Sequence, residues 1–409
     1  MNRQPDPRKN KQCTYTAAHL IWSGILLFMI RLGSRRQMLW EQQAAPFALN
    51  VQALSGQADV ETVAHPDTVA YYAAHVEPDC IKQLLASLTT RLIRSKVLDA
   101  FRLKGYFTVA IDGTQVCTFD TEPWPGCPSR NLSNGKVQYF AYVLDAKLVT
   151  ANGMALTVAT TMLTNENNKE FDKQDCELKA FYRLLPQIKA LFPRTPLILL
   201  LDSLYSNQNA IRLIEENNLK YIINFKEGSM PERFTEAQAL MKLEPKNAME
   251  VSLSQDIKQQ FRWALELPIA EFKPHVIECL EQNKKTGETT TYVWMTNLHV
   301  CTNNVQKIAN QGGRLRWKIE NEGFNAQKNA GYNMQHPFSE HHNGFEVFYL
   351  FLLFAHYLTQ LILHSSLISS LSKTFGSSRN FARRLGESLR HYILHPSFRL
   401  PGQIRLKPT

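Results

Sequence analysis

Three acidic residues in this 409-residue chain stand where metal-dependent chemistry could use them. Asp112 closes the short apolar run Phe107-Thr108-Val109-Ala110-Ile111, and Asp202 closes the almost wholly apolar run from Leu197 to Leu201. Glu320 lies in Arg314-Leu315-Arg316-Trp317-Lys318-Ile319-Glu320-Asn321-Glu322-Gly323-Phe324-Asn325-Ala326-Gln327-Lys328. There, two arginines, a tryptophan, two glutamates and two lysines fall within about four helical turns. Carboxylate oxygens are hard ligands suited to Mg2+. Phosphoryl transfer to water or a hydroxyl is served by two divalent ions about 4 Å apart, one activating the nucleophile and one stabilising the leaving oxygen. Guanidinium and ammonium groups beside such a pair suit phosphate. Each feature alone has a plainer reading. Asp-Gly after a strand is a common turn. A helix with Arg316, Glu320 and Phe324 four apart on one side can be a surface helix laced by ion pairs. The three acids together, 90 and 118 residues apart, point to a metal site if the fold brings them together.

The elements that must do so are legible in outline. Residues 17–104 read as helical: Ala17–Leu32 is one apolar helix and Cys80–Phe101 another, with Leu84, Leu85, Leu88, Leu92 and Ile93 near helical spacing. From Phe107 the pattern changes to a strand ending at Asp112 or turning just after it. Residues 121–136 form a loop rich in Pro, Gly, Ser and Asn. Val137–Val149 and Leu156–Leu163 form a hairpin around Asn152-Gly153. Asp175–Leu191 is an amphipathic helix whose opening acids, Asp175 and Glu177, favour the helix dipole. Leu197–Leu201 reads as a strand buried on both faces. Ala210–Asn217 is a helix and Tyr221–Phe225 a strand. The order strand, strand, strand, helix, strand, helix, strand is that of an RNase H-like fold, in which the first and fourth strands lie side by side. Four short alternating segments in 245–300 make a β-rich insertion, helix resumes near Asn304, and Phe345–Leu363 packs back on the core.

Composition bounds the class. With 44% hydrophobic and 20% charged residues the chain is globular rather than disordered. The net charge of +10 is concentrated at the ends: residues 1–36 carry +6, residues 365–409 carry +7, and the middle is near −3. Basic ends favour a polyanion, nucleic acid before membrane surface; the bland alternative is a basic protein with solvated tails. Seven scattered cysteines without a CxxC pair read as reduced cytosolic thiols and argue against zinc. Leu20–Ile30 is too short for a membrane span and Phe345–Leu363 carries Glu346, His356, Thr359 and Gln360, so both read as buried helices. Leu20–Ile30 also lacks a signal-peptide cleavage pattern. His336, Glu340, His341 and His342 read as a polar loop rather than a metal site. No Walker A loop, dinucleotide fingerprint or nucleophile elbow is present.

Over residues 105–365 the chain resembles DDE transposases of the insertion-sequence-4-like type. Arg316-Trp317-x-Ile319-Glu320 matches the block around that family's Glu, and Asp202-Ser203-Leu204-Tyr205 matches an aromatic three residues after its second Asp. The family signature runs Tyr, two residues, Arg, three residues, Glu, six residues, Lys. Here its Tyr position falls on Gly313 and its Lys position on Gln327, with Lys328 one late, and Phe324 lies four after Glu320. A small insertion within the signature accounts for the shift and leaves Glu322 as an alternate to Glu320.

The resemblance implies an α/β fold: an RNase H-like mixed sheet flanked by helices, with a β-rich insertion and a helical N-terminal region. Its parts are 1–104, helical and DNA-binding; 105–244 and 304–365, the catalytic core; 245–303, the insertion; and 366–409, a basic tail. Asp112, Asp202 and Glu320 would be the catalytic, metal-holding acids for two Mg2+ ions, with Mn2+ able to substitute. Arg316, Lys328, Trp317, Tyr205 and Arg314 would meet DNA, Arg314 and Lys318 being equally readable as exposed charges. Trp263 and Trp294 are base-stacking candidates by location and core residues by type. The partner would be double-stranded DNA, at terminal repeats and target, gripped by a homodimer in the cytoplasm at the nucleoid, with no membrane role and no covalent intermediate. Two rivals are a transposase-derived DNA-binding protein without catalysis and an RNase H-like nuclease without strand transfer.

Overall fold

Hydrophobic alternation between residues 107 and 296 is resolved into strands, as seen in a computed structural model of the protein. The structure describes residues 6–8, 13–41, 44–164, 173–368, 372–394 and 405–406. Four helices of ten or more residues come first: α1 (Ala17–Met29), α2 (Ala45–Ser55), α3 (Pro66–His75) and α4 (Pro78–Arg94). Then follow β1 (Phe107–Phe119), β2 (Ser129–Asn131), β3 (Val137–Val149), β4 (Ala155–Met162), α5 (Lys173–Leu191), β5 (Leu197–Leu201), α6 (Gln208–Glu216), β6 (Lys220–Asn224) and α7 (Pro231–Leu243). Strands β7 (Ala248–Ser252), β8 (Ile257–Ala264), β9 (His275–Asn283) and β10 (Thr289–Thr296) lead into α8 (Val305–Asn310). A broken helix over 313–329, α9 (His342–Leu363) and α10 (Ser378–His391) complete the chain.

The described strands form one mixed sheet, ordered β2-β3-β1-β5-β6-β10-β9-β8-β7, with β4 also paired to β3. β1 is antiparallel to β3 and parallel to β5, and β5 is parallel to β6. All five residues of β5 are buried, as the unbroken apolar run requires of a central strand covered on both faces. Each such side chain contributes about 1.5–3 kcal/mol by leaving water. The segments of 245–303 extend this sheet, because β10 pairs with β6 through Met295 and Ile223.

β1 differs from the expectation of a strand ending at Asp112. It continues to Phe119, and Asp112-Gly113 lies within it, opposite Asp145 and Leu144 of β3. Gly113 serves close packing there, since a Cβ would come 2.6 Å from Tyr142 Cε1 and 2.9 Å from Glu177 Oε1. The local Asp-Gly turn signal loses to pairing with β3.

On the other side of the sheet runs α9, almost entirely buried against α1, α3, α4 and β4. It is the one described helix long and apolar enough to cross a membrane, and 72% of its apolar window is buried within the chain. Beneath it, Lys147 and Asp145 form a fully buried ion pair at 2.7 Å, with Thr157, Thr160 and Tyr349 supplying further hydrogen bonds. Those bonds offset the desolvation that a bare buried pair would suffer. At the C-terminus α10 is docked: Arg390 Nε donates to Glu41 Oε2 at 2.6 Å, and Asn50 Nδ2 donates to the Tyr392 carbonyl at 2.7 Å. Of the basic residues at the ends, Arg3, Lys9, Lys11, Arg399 and Lys407 lie outside the described residues.

Candidate active site

Asp112 and Asp202 are brought level by strand register. Ala110 of β1 pairs with Leu200 of β5, and each aspartate stands two residues further along its chain. Neighbouring strands lie about 4.8 Å apart, so the two carboxylates enter the same cavity, about 860 Å³, with Gly113, Tyr142, Glu177 and Lys226. Asp202 caps the short helical turn Ser203–Tyr205, accepting from the Leu204 amide at 2.9 Å. Asp112 accepts from its neighbour, the Gly113 amide, at 3.0 Å and from Arg316 Nη1 at 3.1 Å. Burial pushes the Asp112 carboxyl up to about 6; Arg316 and the Gly113 amide oppose the rise, while the charges of Asp202 and Glu177 add to it.

Arg316 and Lys328 approach β1 from the 313–329 segment. Lys328 Nζ donates to Thr114 Oγ1 at 2.7 Å, two residues along the strand from Asp112. An unbroken α-helix turns about 100° per residue, so the twelve residues from Arg316 would leave Lys328 about 120° out of line. The chain avoids this with a π-helix at Ile319–Asn325, flanked by a 3-10 turn at Gly313–Arg316 and an α turn at Ala326–Asn329. A π turn holds one residue more than an α turn, so the one-residue delay of Lys328 is absorbed and both cations meet the same strand.

Gly313 also has a physical reason. Its ideal Cβ would fall 2.4 Å from Trp294 Nε1, so the indole occupies the space into which a tyrosine at that position would have to start. Trp294 is buried and stacks on Tyr292, with ring centroids 5.7 Å apart and planes 5° from parallel. Trp263 is buried as well. A second cavity of about 450 Å³ shares Asp202, Ser203 and Lys226 with the first and continues past Trp294, Arg316 and Trp317.

The other sequence candidates separate. Glu320 is exposed, has no hydrogen-bond or ion-pair partner among the described residues and lines neither cavity. Glu322 is paired with Lys318 Nζ at 3.0 Å and lies against Gly153 and His364, at the β3–β4 turn rather than at the level of Asp112. Trp317 is exposed and lies beneath the Arg316 guanidinium, 4.6 Å from ring centroid to Cζ. Arg314 is half-buried, held by Glu281 at 3.1 Å and set over the Tyr292 ring at 4.8 Å. Tyr205, a candidate DNA contact in the sequence, is instead 1% exposed and packs on Phe181 beneath the site. The turn that lets Asp202 cap Leu204 drives this ring inward. His341 caps α9 by accepting from the Gly344 amide.

Glu177, read from the sequence as an acid favouring the helix dipole, is instead a cavity residue. It stands in the opening turns of α5, is buried, accepts from the Tyr142 hydroxyl and lines the cavity with Asp112 and Asp202. A signal was present: Glu177 shares the helical face of Phe181, Leu184 and Ile188, all fully buried. An acid on the buried face of an amphipathic helix is not a dipole cap. The side chain of Asp175 lies outside the described residues.

Among the described residues no three His, Cys, Asp or Glu side chains already form a metal-holding group. The donors around the cavity nonetheless suit a hard divalent ion: they are carboxylates, and the buried Tyr205 hydroxyl, which feels their charge, has no hydrogen-bond partner among the described residues. Searches against protein-family models and against curated proteins find no match to this chain.

Proposed function

We propose that this chain is a DNA transposase with an RNase H-like catalytic core, cutting DNA at transposon ends and joining the freed 3′-hydroxyl to target DNA. The observation that carries the reading is the meeting of Asp112 and Asp202, 90 residues apart in sequence, two residues past one register pair, with Arg316 on Asp112. The run β4-β3-β1-β5-β6, with β1 between an antiparallel and a parallel neighbour, supports the RNase H-like assignment.

In this reading Asp112 and Asp202 hold Mg2+, and Glu320, unpartnered on the segment that carries Arg316, is the third acid that the resemblance supplies. Bound there, two Mg2+ ions, or Mn2+ in their place, supply an activated water or 3′-hydroxyl and stabilise the leaving oxygen. Arg316, which neutralises Asp112 in the protein alone, would offer its guanidinium to a DNA phosphate beside that carboxylate. Lys328 adds an ammonium beside Thr114, and the exposed Trp317 offers an apolar face to the sugar-phosphate chain. No side chain forms a covalent bond to DNA. Terminal repeats and target are gripped by a homodimer, in the cytoplasm at the nucleoid, and the basic ends supply sequence-independent attraction.

With Mg2+ and end-containing DNA, Asp112→Ala and Asp202→Ala should each abolish cleavage while DNA binding persists. Full cleavage by either variant overturns the reading, and a strand-transfer assay separates it from a nuclease that only cuts. The exposed position of Glu320, outside both cavities, favours one alternative: a transposase-derived DNA-binding protein that no longer cuts. Metal-dependent nicking distinguishes the two.

A further inference from the structure

We propose that Glu177 is a metal-ligating carboxylate of the same centre, acting with Asp112 and Asp202; the proposal rests on the phosphoryl-transfer reading. The cavity is built to bring Glu177 in. Gly113, next to Asp112 on β1, presents bare backbone, and any Cβ there would stand 2.9 Å from Glu177 Oε1. The Tyr142 hydroxyl donates to that same oxygen and fixes the carboxylate on a strand rather than leaving it to solvent. Glu177 therefore reaches the cavity from α5, on the opposite side from the Arg316 segment.

A second observation points to a ligand. Tyr205 is 1% exposed, and its buried hydroxyl has no hydrogen-bond partner among the described residues. The groups whose charge it feels are, in order, Glu177, Asp202, Asp112 and Tyr142. A buried hydroxyl without a partner is costly, and a water held by a bound cation would relieve that cost. The charges agree. Three carboxylates, Asp112, Glu177 and Asp202, line one cavity, where Asp112 also pairs with Arg316. Like charges in a partly desolvated site raise one another's cost unless a cation lies between them, and carboxylate oxygens select a hard divalent one.

The test is titration of Mn2+ and of Mg2+ into the purified full chain, followed by calorimetry and, for Mn2+, by its magnetic resonance spectrum. Glu177→Gln keeps size and the acceptor for Tyr142, and it should lower metal affinity at least tenfold. Glu346→Gln, at a buried carboxylate of α9 that pairs with Lys82 of α4, should leave affinity within twofold. Wild-type affinity in Glu177→Gln, with binding lost in Asp112→Asn and Asp202→Asn, overturns this proposal and spares the transposase reading. A wild-type chain that binds neither metal, or Asp112→Asn and Asp202→Asn variants that bind like wild type, overturns both. If circular dichroism shows Glu177→Gln unfolded, Glu177→Asp carries the test: a threefold or greater loss supports the ligand role, and wild-type affinity removes it.

Discussion

Arg316 Nη1 lies 3.1 Å from Asp112 Oδ2, an ion pair that joins the 313–329 segment to the strand carrying the first acid of the cavity. The guanidinium is largely buried, and its Nε has no hydrogen-bond partner among the described residues. Arg316 is thus held by one carboxylate and one aromatic ring.

Removing Arg316 leaves Asp112 desolvated and unanswered. Arg316→Ala should destabilise the metal-free chain by about 2–4 kcal/mol, near the range for breaking one side of a buried pair. Urea unfolding at neutral pH measures this. A change below about 0.5 kcal/mol, the size of an ordinary surface substitution, would show that the pair contributes nothing.

Asp112 also sets a pH dependence. Its carboxyl titrates near 6 when folded, against an ordinary 3.8. The folded state therefore binds more protons between those values, so this group's contribution is most favourable below about pH 4 and is lost as pH rises through about 6. Relative to Asp112→Asn, wild type should lose about 2–3 kcal/mol across that window. Thermal unfolding of both proteins from pH 4 to 7 gives the difference directly, and a constant difference would refute the shift.

Lys328 offers a test that reads DNA rather than stability. If its ammonium neutralises a phosphate, Lys328→Ala should weaken binding alike for all sequences and reduce the slope of log affinity against log salt by about 1. An unchanged slope would leave Lys328 a role within the protein alone, as in its contact with Thr114.

The π turn gives a prediction about the chain itself. Asn321 is exposed within Ile319–Asn325. Its deletion should convert the π turn into α-helix and keep Arg316 on Asp112 and Lys328 on Thr114, with thermal stability unchanged or higher, because the shorter segment needs no irregular turn. A marked loss of stability would mean that the bulge does more than absorb one residue.

Much of the fold was legible because its signals are local. The apolar run Leu197–Leu201 reads as a buried strand, and the 137–163 hairpin carries its own turn. Asp112 and Asp202 were visible as acids closing apolar runs, and the Arg316 block by the spacing of its charges. Where local and distant forces competed, sequence misled: Asp112-Gly113 reads as a turn, yet pairing with β3 carries the strand on to Phe119. Tertiary structure alone decided which groups meet. It put Glu177 in the cavity, buried Tyr205, set Trp294 where a tyrosine in place of Gly313 would begin, and left Glu320 exposed. The physical reason is that sequence periodicity reports which face of an element is apolar, whereas the meeting of two side chains depends on strand register and helix rotation, both fixed by packing partners far away in the chain.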